Sequence, residues 1–463
     1  MDFTLTLTDQ QHSQLHAALF PGDELEAAAI LLCGTAAGKQ RHRLIVHTVH
    51  PIPLEECSVR KPNQLTWNTE YIVPLLEQAL NKALAVVKVH CHPGGYAQFS
   101  SIDDENDLVT LPAIDAWVER DDLVHGSAIM LPDGRIFGRV LSLDDQFQPF
   151  TVVNVVGDDL LYWHHIHKIG ATEFASSHVQ MFGERTFNLL RGLSIAVVGC
   201  SGIGSLVVEQ LARYGVGELI LVDDDIIEER NLNRVLNATQ RDADLGRLKV
   251  DVLGDMVERM GTGTAVRRLQ VNLYTPAAVN AVSESDVIFG CMDTVDGRYL
   301  LNRLATYYSI PYIDIGVRID ADTRSDHIGE IQTIGGGIHY LKPGHSLMSR
   351  HVFDLEDVRA AGLKRKDPNS YAQELQDGYI RGVTVRRPAV ISLNMVIASL
   401  GVSELLARLH PFREGPNKDY EHLQLDLVDM SMTADPAPDH DAVLHTKIGL
   451  GDRKLLLDDF ELS

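Results

Sequence analysis

Apolar residues recur along this chain in two rhythms, and the change of rhythm divides it. Up to residue 145, short apolar runs (AAAILLCG, HRLIVHTV, AVVKVHCH, SAIMLPDG and RIFGRVLSL) predict strands, with helical spacing confined to 9–19 and 71–83. Strands interleaved with few helices predict an α+β sheet domain over 1–145. Residues 146–175 hold no sustained period and read as a connector. From 176 to 411 strand and helix alternate. SIAVVG, GSLVVEQLARYG and ELILVD form a β-α-β unit, and DVIFGCMD begins a later strand. That alternation predicts an α/β domain with a mainly parallel sheet. Residues 412–463 are polar and acidic and read as an extension.

At 463 residues the chain is long for one core, which agrees with two domains. Its 41 Lys and Arg against 64 Asp and Glu leave a formal net charge of −23. Such a surface repels phosphate backbones and anionic membranes, so neither nucleic acid nor a membrane is an expected partner. Five cysteines (Cys33, Cys57, Cys91, Cys200 and Cys291) lie scattered, the pattern of a reduced, cytoplasmic protein. The N-terminus MDFTLTLTDQQ has no basic region leading into an apolar core, so no secretory signal is expected. No apolar run approaches the length needed to span a bilayer.

The first chemistry-bearing stretch is HCHPGGYAQFSSID, after the strand AVVKV. His90 and His92, two apart at a strand end, point to one side. A Gly-rich turn then leads to a helix near Ser100, whose Asp103 can add an oxygen ligand. Two imidazoles and one carboxylate leave a fourth tetrahedral position for water, the arrangement of catalytic zinc. Ser100 can donate to an oxyanion, and Glu26, just before AAAILLCG, is the candidate general base. Asp104, next to Asp103, is an alternative ligand.

The second stretch is GCSGIGS after SIAVVG, where Gly199, Gly202 and Gly204 let a backbone approach phosphates at a helix N-terminus. Asp223 after the next strand can accept a ribose hydroxyl. Alone this would suggest a dinucleotide. The residues that follow argue otherwise: Asn231, Asn233 and Arg234 crowd the same edge, Lys249 follows, and Asp293 ends a later strand. Cations aimed at phosphates, with an Asp for Mg²⁺, suit adenylyl transfer from ATP and serve no hydride chemistry.

Glu…H-x-H-P, six residues, then S-x-x-D resembles the JAB/MPN (JAMM) metallopeptidases, which cleave ubiquitin-like proteins from tails or lysines. The resemblance implies His90, His92 and Asp103 as zinc ligands, Ser100 as the oxyanion residue and a glutamate as base. It keeps Asp103 rather than Asp104 in register. The family glutamate lies seven residues before a strand-end Gly, whereas Glu26 lies eight before Gly34, with Glu24 as the alternative. The second region, about 180–410, resembles the ThiF/MoeB/HesA family and the adenylation domain of ubiquitin-activating enzymes, a Rossmann-like fold. The resemblance implies a phosphate loop of Gly199, Gly202 and Gly204, ribose at Asp223, and Asn231, Arg234 and Lys249 at the triphosphate. It places Mg²⁺ on Asp293, extends the motif to Arg298 and Asn302, and implies a homodimer.

Three departures follow from that resemblance. Where the family often carries an Arg before the first strand, ASSHVQMFGERTF has Ser177, with Arg185 and Arg191 as alternatives. Where many members place two C-x-x-C pairs, the chain has His345-Ser346 and PDHDAVLH, so that structural zinc is not expected, a site on His440 and His445 being the alternative. No cysteine follows Cys291, so the expected adenylate passes to a partner's thiol or amine without a thioester on this chain. The whole is expected to adenylate a ubiquitin-like protein and to process or deconjugate it, as in bacterial conjugation systems, some tied to phage defence, with a conjugating enzyme as a further partner. Two alternatives stand: a sulfur-carrier protein as substrate, or a scaffold without catalysis.

Overall fold

In the computed structural model, residues 1–142, 146–165, 176–321, 331–377, 380, 390–438 and 440–452 are described. The chain divides into two compact units. The first takes in the described residues of Met1–His167, Tyr307–Ser309 and Lys447–Arg453, and the second those of Lys168–Thr306 and Ile310–Thr446.

In the first unit the elements run β1 (Asp2–Thr8), α1 (Asp9–Leu19), β2 (Ala28–Ala37), β3 (Arg41–Pro51), β4 (Cys57–Lys61), β5 (Gln64–Trp67) and α2 (Val73–Lys82). They continue β6 (Ala85–Cys91), α3 (Ser101–Val118), β7 (Gly126–Met130), β8 (Ile136–Leu141), β9 (Phe147–Val156) and β10 (Leu160–His164). Eight strands pair in the order β1-β3-β2-β6-β7-β8-β9-β10, and a β1–β9 pairing joins the two arms. Alternation sorts β2 between two apolar cores. Ala29, Leu31 and Cys33 join Leu5, Val87 and Val153 on one face, and Ala28, Ile30 and Leu32 join Leu76, Leu111 and Ile114 under α2 and α3 on the other. Strands β9 and β10 fall where periodicity predicts only a connector; its remainder, 166–175, lies outside the described residues. TVVNVV places apolar residues on both faces, and the polar residue within them, Asn154, accepts from Thr6 Oγ1 at 2.8 Å, so no alternation marks it.

The second unit runs α4 (Ser176–Gly192), β11 (Ser194–Val198), α5 (Gly202–Arg213), β12 (Glu218–Val222), α6 (Gln240–Asp244), α7 (Lys249–Met260), β13 (Ala265–Leu269) and α8 (Pro276–Ser283). Then come β14 (Val287–Gly290), α9 (Val295–Tyr307), β15 (Tyr312–Ala321), β16 (Ile331–Leu341), α10 (Leu355–Lys366), α11 (Pro368–Gln376), α12 (Ile391–Leu409), β17 (His422–Asp426) and β18 (Ser431–Asp435). Its sheet has the order β13-β12-β11-β14-β15-β16-β17-β18. Pairs from β13 to β15 are parallel and those from β15 to β18 antiparallel. Between β11 and β14 the strand order reverses, the switch point at which open α/β sheets carry a crevice beyond the strands' carboxyl ends.

Two stretches differ from the sequence reading. Residues 422–435 of the supposed extension are the sheet's last two strands, and Lys447–Asp452 belong with the first unit, where Gly449 O accepts from Gly34 N–H at 3.1 Å. Residues 453–463 lie outside the described residues. The other stretch is α12, which is long and apolar enough to cross a membrane by length and composition, against the expectation of no such run. Its apolar residues are spent internally: Leu393, Ile397, Ala398, Gly401 and Leu405 are buried against α5, β15 and β16. A fully buried Glu404–Arg408 ion pair at 2.7 Å lies within it.

Candidate metal centre and nucleotide site

Strand β6 explains the first site. Its odd residues Ala85, Val87, Val89 and Cys91 enter one core, which turns Lys88, His90 and then His92 toward α3. Ser100 starts α3 as its N-cap. Its Oγ accepts from Asp103 N–H at 3.2 Å, and both its N–H and its Oγ donate to Asp103 Oδ2 at 2.7 Å. The cap therefore fixes where Asp103 points.

His90 Nε2 and His92 Nε2 lie 3.1 Å apart; Asp103 Oδ1 is 3.2 Å from the first and Oδ2 3.7 Å from the second. Ligand atoms about 2.1 Å from one tetrahedral zinc ion stand about 3.4 Å apart, so this donor set fits that ion. His92 Nδ1 meets Tyr96 O at 2.7 Å; as donor there, it frees Nε2 to give up its proton and offer its lone pair to a metal. Burial works against ionising Asp103, yet hydrogen bonds from His90 and His92 hold its carboxyl well below the usual carboxylate range. Burial lowers His90 against the opposing pull of Asp103, which favours the neutral imidazole that a metal takes.

Ala28 pairs with His90 in the β2–β6 register, and Cys91 N–H donates to Ala27 O at 3.1 Å, which carries Glu26 to a place opposite His92. Glu26 is buried. Burial raises its carboxyl to about 7, His92 opposing and Asp103's charge adding to the rise. Glu24 stands exposed in a left-handed turn at φ 61°. The structure thus brings Glu26, His90, His92, Ser100 and Asp103 together and leaves Glu24 in solvent.

One assembly has no signature in the sequence. Four helix residues rise about 6 Å and two strand residues about 6.7 Å, so Asp107 meets Lys88 as Asp103 meets His90. Asp107, with its side chain 1 % exposed, pairs with Lys88 Nζ at 2.6 Å and Arg139 Nη2 at 2.7 Å. Arg139 also pairs with Asp104, and its guanidinium lies 3.7 Å from the ring centroids of both Phe99 and Phe147. Asp104 is thus engaged away from the imidazoles. Asp107→Asn is expected to destabilise the first unit by about 3–5 kcal/mol, since two cations lose their buried counter-charge. Zinc affinity should fall with it. Calorimetric unfolding and zinc titration check this, and an unchanged unfolding profile would show that the network does not hold α3.

At the crevice, Gly199, Gly202 and Gly204 form the turn from β11 into α5. A Cβ on Gly204 would stand 1.9 Å from Gly199 O, so nothing larger than glycine closes this turn. Asp223 Oδ2 accepts from Cys200 N–H at 2.7 Å and Oδ1 from Asp225 N–H at 2.9 Å. Lys249 Nζ lies 2.5 Å from Asp225 Oδ2 and 3.6 Å from Asp223 Oδ1. Burial raises the Asp223 carboxyl, and Lys249 opposes that rise. Arg234 Nη1 donates to Arg230 O at 2.7 Å and Asn233 Oδ1 at 3.0 Å, while its stem passes Gly202. Asn231 is buried, and its Oδ1 accepts from Glu228 N–H at 2.9 Å, a cap that shapes the turn presenting Arg234. Asp293 is exposed just past β14. Among the described residues of this unit, the acids whose oxygens converge for an ion are Asp223, Asp224 and Asp225.

The remaining expectations resolve structurally. Arg191 Nη1 donates to Thr262 O at 2.9 Å, near the amino-terminal ends of β11 and β13, so it faces away from the crevice. Arg185 is exposed on α4, and the Ser177 side chain lies outside the described residues. Arg298 is buried against Asp314, and Asn302 bonds His345 O at 2.7 Å and Leu347 N–H at 2.8 Å, so both hold the fold. Rings of His345 and His440 lie 4.6 Å apart and those of His440 and His445 4.7 Å, where Ser346 Oγ donates to Asp441 at 2.7 Å. Burial pushes the Cys200 and Cys291 thiols far up, which suits packing and not nucleophilic attack.

Sequence comparison agrees with this division. The pattern of the ThiF family matches residues 175–442, and that of prokaryotic homologs of the JAB domain matches residues 8–133. Similar curated proteins include the adenylyltransferase and sulfurtransferase UBA4 of Meyerozyma guilliermondii, 32% identical over 29% of this chain and 32% of its own length. The SAMP-activating enzyme E1 of Haloferax volcanii is 32% identical over 26% of this chain and 43% of its own. Ubiquitin-like modifier-activating enzyme 5 of Aedes aegypti is 24% identical over 48% and 56%. The chain thus spans about a third to just over half the length of these relatives. A solved structure of E. coli MccB with MccA-N7isoAsn overlaps 59% of this chain and 74% of its own at 18% identity and a TM-score of 0.45. With more than half its length covered by one family pattern and a parallel sheet whose crevice holds the expected glycine turn, the chain belongs to the ThiF family and carries a JAB domain ahead of its ThiF domain.

Proposed function

We propose that the ThiF domain uses ATP to adenylate the C-terminal glycine of a ubiquitin-like protein, and that the JAB domain is a zinc peptidase that processes or removes that protein. The observation that carries the first half is the pairing of the uncapped α5 N-terminus with Lys249 and Arg234 at one crevice, in a chain of this family. A carrier carboxylate attacks the α-phosphorus and pyrophosphate leaves. Lys249 and Arg234 neutralise charge on the phosphates, the α5 N–H groups hold them, and Asp223 positions the ribose. Mg²⁺, when bound by acids at the crevice such as Asp293, would offset the triphosphate charge. Cys200 is buried and Cys291 half-buried, and burial pushes both thiols far up, so the acyl group goes to a thiol or amine of a partner such as a conjugating enzyme.

In the JAB domain, His90, His92 and Asp103 would hold zinc, which supplies a Lewis acid and lowers the pKa of water to about 7. Glu26 accepts the proton of the attacking water and returns it to the leaving amine. Ser100 Oγ orients Asp103 by donating its one proton there, and it would donate to the oxyanion on turning from that carboxylate. A second reading, with a sulfur carrier as substrate, draws support from the similarity to the enzyme UBA4, whose name joins adenylyl and sulfur transfer.

Pyrophosphate–ATP exchange tests the first half. Label is expected to enter ATP only when a carrier ending in glycine is present with Mg²⁺, and its absence with every candidate carrier would favour a scaffold.

A further inference from the structure

Helix α5 meets a side chain of α12 that the proposed reaction does not yet use. An ideal Cβ on Gly202 would lie 2.5 Å from Asn394 Nδ2 and 3.3 Å from Arg234 Cδ, so only glycine leaves the amide this close to the phosphate turn. Asn394 sits in the first turn of α12, its N–H donating to Val390 O at 3.0 Å. Two helix N-termini therefore converge on one amide. Among the described residues neither Ser201 nor Val390 makes a side-chain capping bond, so neither first turn has its N–H groups satisfied by a cap.

Asn394 is 1 % exposed, and its Oδ1 has no hydrogen-bond partner among the described residues. A buried amide left so is costly, and an apolar residue would fill the same space without that cost. A partner that arrives with a ligand explains the choice. The ends of two helices beside a guanidinium stem select an anion. An amide offers a donor and an acceptor together: Nδ2, which meets the Arg234 stem at Gly202, can serve a phosphate oxygen, and Oδ1 can take an N–H of Arg234 once a phosphate draws that guanidinium from Arg230 O.

We propose that Asn394 is a phosphate-contacting residue of the nucleotide site, reaching ATP from α12. The proposal rests on the reading that this crevice binds ATP. Asn394→Asp keeps the shape of the side chain, suits both helix N-termini, and sets a carboxylate against the phosphates. Full-length wild type and variant are compared by calorimetric titration with ATP and with adenosine, and by thermal unfolding without ligand. The variant is expected to unfold at or above the wild-type temperature and to bind adenosine equally. Its ATP affinity should fall about ten- to a hundred-fold. Equal ATP affinity, or a parallel loss for ATP and adenosine, overturns the proposal. Should the aspartate variant fail to fold, Asn394→Ala is read by the same criteria. A wild-type chain that binds no ATP removes the adenylation reading and this one together, whereas a wild type that binds ATP beside a variant that binds it equally well removes only this one.

Discussion

Glu26→Gln is expected to abolish cleavage by the JAB domain while leaving its zinc in place. The two side chains are nearly isosteric, and the β2–β6 register that puts residue 26 opposite His92 depends on backbone bonds the substitution does not touch. What is lost is a carboxylate able to take a proton, worth about a hundred- to ten-thousand-fold in rate. The setting of Glu26 is specific. Burial lifts this carboxyl to about 7, near the pH at which a general base works best, whereas Glu24 points into solvent. Glu24→Gln is therefore the matched control and should cleave normally. The readouts are release of a peptide fused to the C-terminus of a ubiquitin-like protein and zinc content of the purified chain. Cleavage surviving in Glu26→Gln would show the base to lie elsewhere, and zinc lost along with cleavage would show Glu26 to be holding the centre together.

Parts of this architecture were legible because they are local. His90 and His92 share a side by strand alternation, and Ser100 and Asp103 face each other because a capping box spans three residues. The phosphate turn is local in the same way, with Gly204 packed on Gly199. Residues whose partners are far along the chain gave no such signal. Asp107 reads as one more acid on an acidic helix until β8 brings Arg139 beside it, 32 residues away. Asn394 reads as a polar interruption in an apolar helix until α12 docks on α5. Strand β18 was missed for another reason: every residue of it is exposed, so there is no buried face to set a period. Asn231 shows the limit of motif reading, since its type suited a phosphate ligand and its oxygen serves a turn.

The second large effect is expected at Lys249. Lys249→Ala should lower pyrophosphate–ATP exchange by about a hundred- to a thousand-fold, the usual loss when one charged donor is removed from a phosphoryl transition state. The side chain is 5% exposed at the start of α7, between Asp223 and Asp225, so its removal also leaves Asp223 buried without its cation. Burial already raises that carboxyl, and Lys249 leads the groups that oppose the rise, ahead of the Asp225 and Cys200 N–H groups, so the variant's Asp223 sits higher still. A carboxyl with a raised folded-state pKa stabilises below its unfolded value and loses that contribution as pH climbs through the folded one. The variant's deficit in unfolding temperature should therefore be greatest at neutral pH and shrink on acidification toward the usual carboxylate range. Adding Asp223→Asn to Lys249→Ala removes the unpaired charge and should return the stability without returning the exchange. If the double variant exchanged label like wild type, Lys249 would be a structural counter-ion to Asp223 and nothing more. If the single variant's deficit did not vary with pH, the pair would not be coupled as its 3.6 Å separation implies.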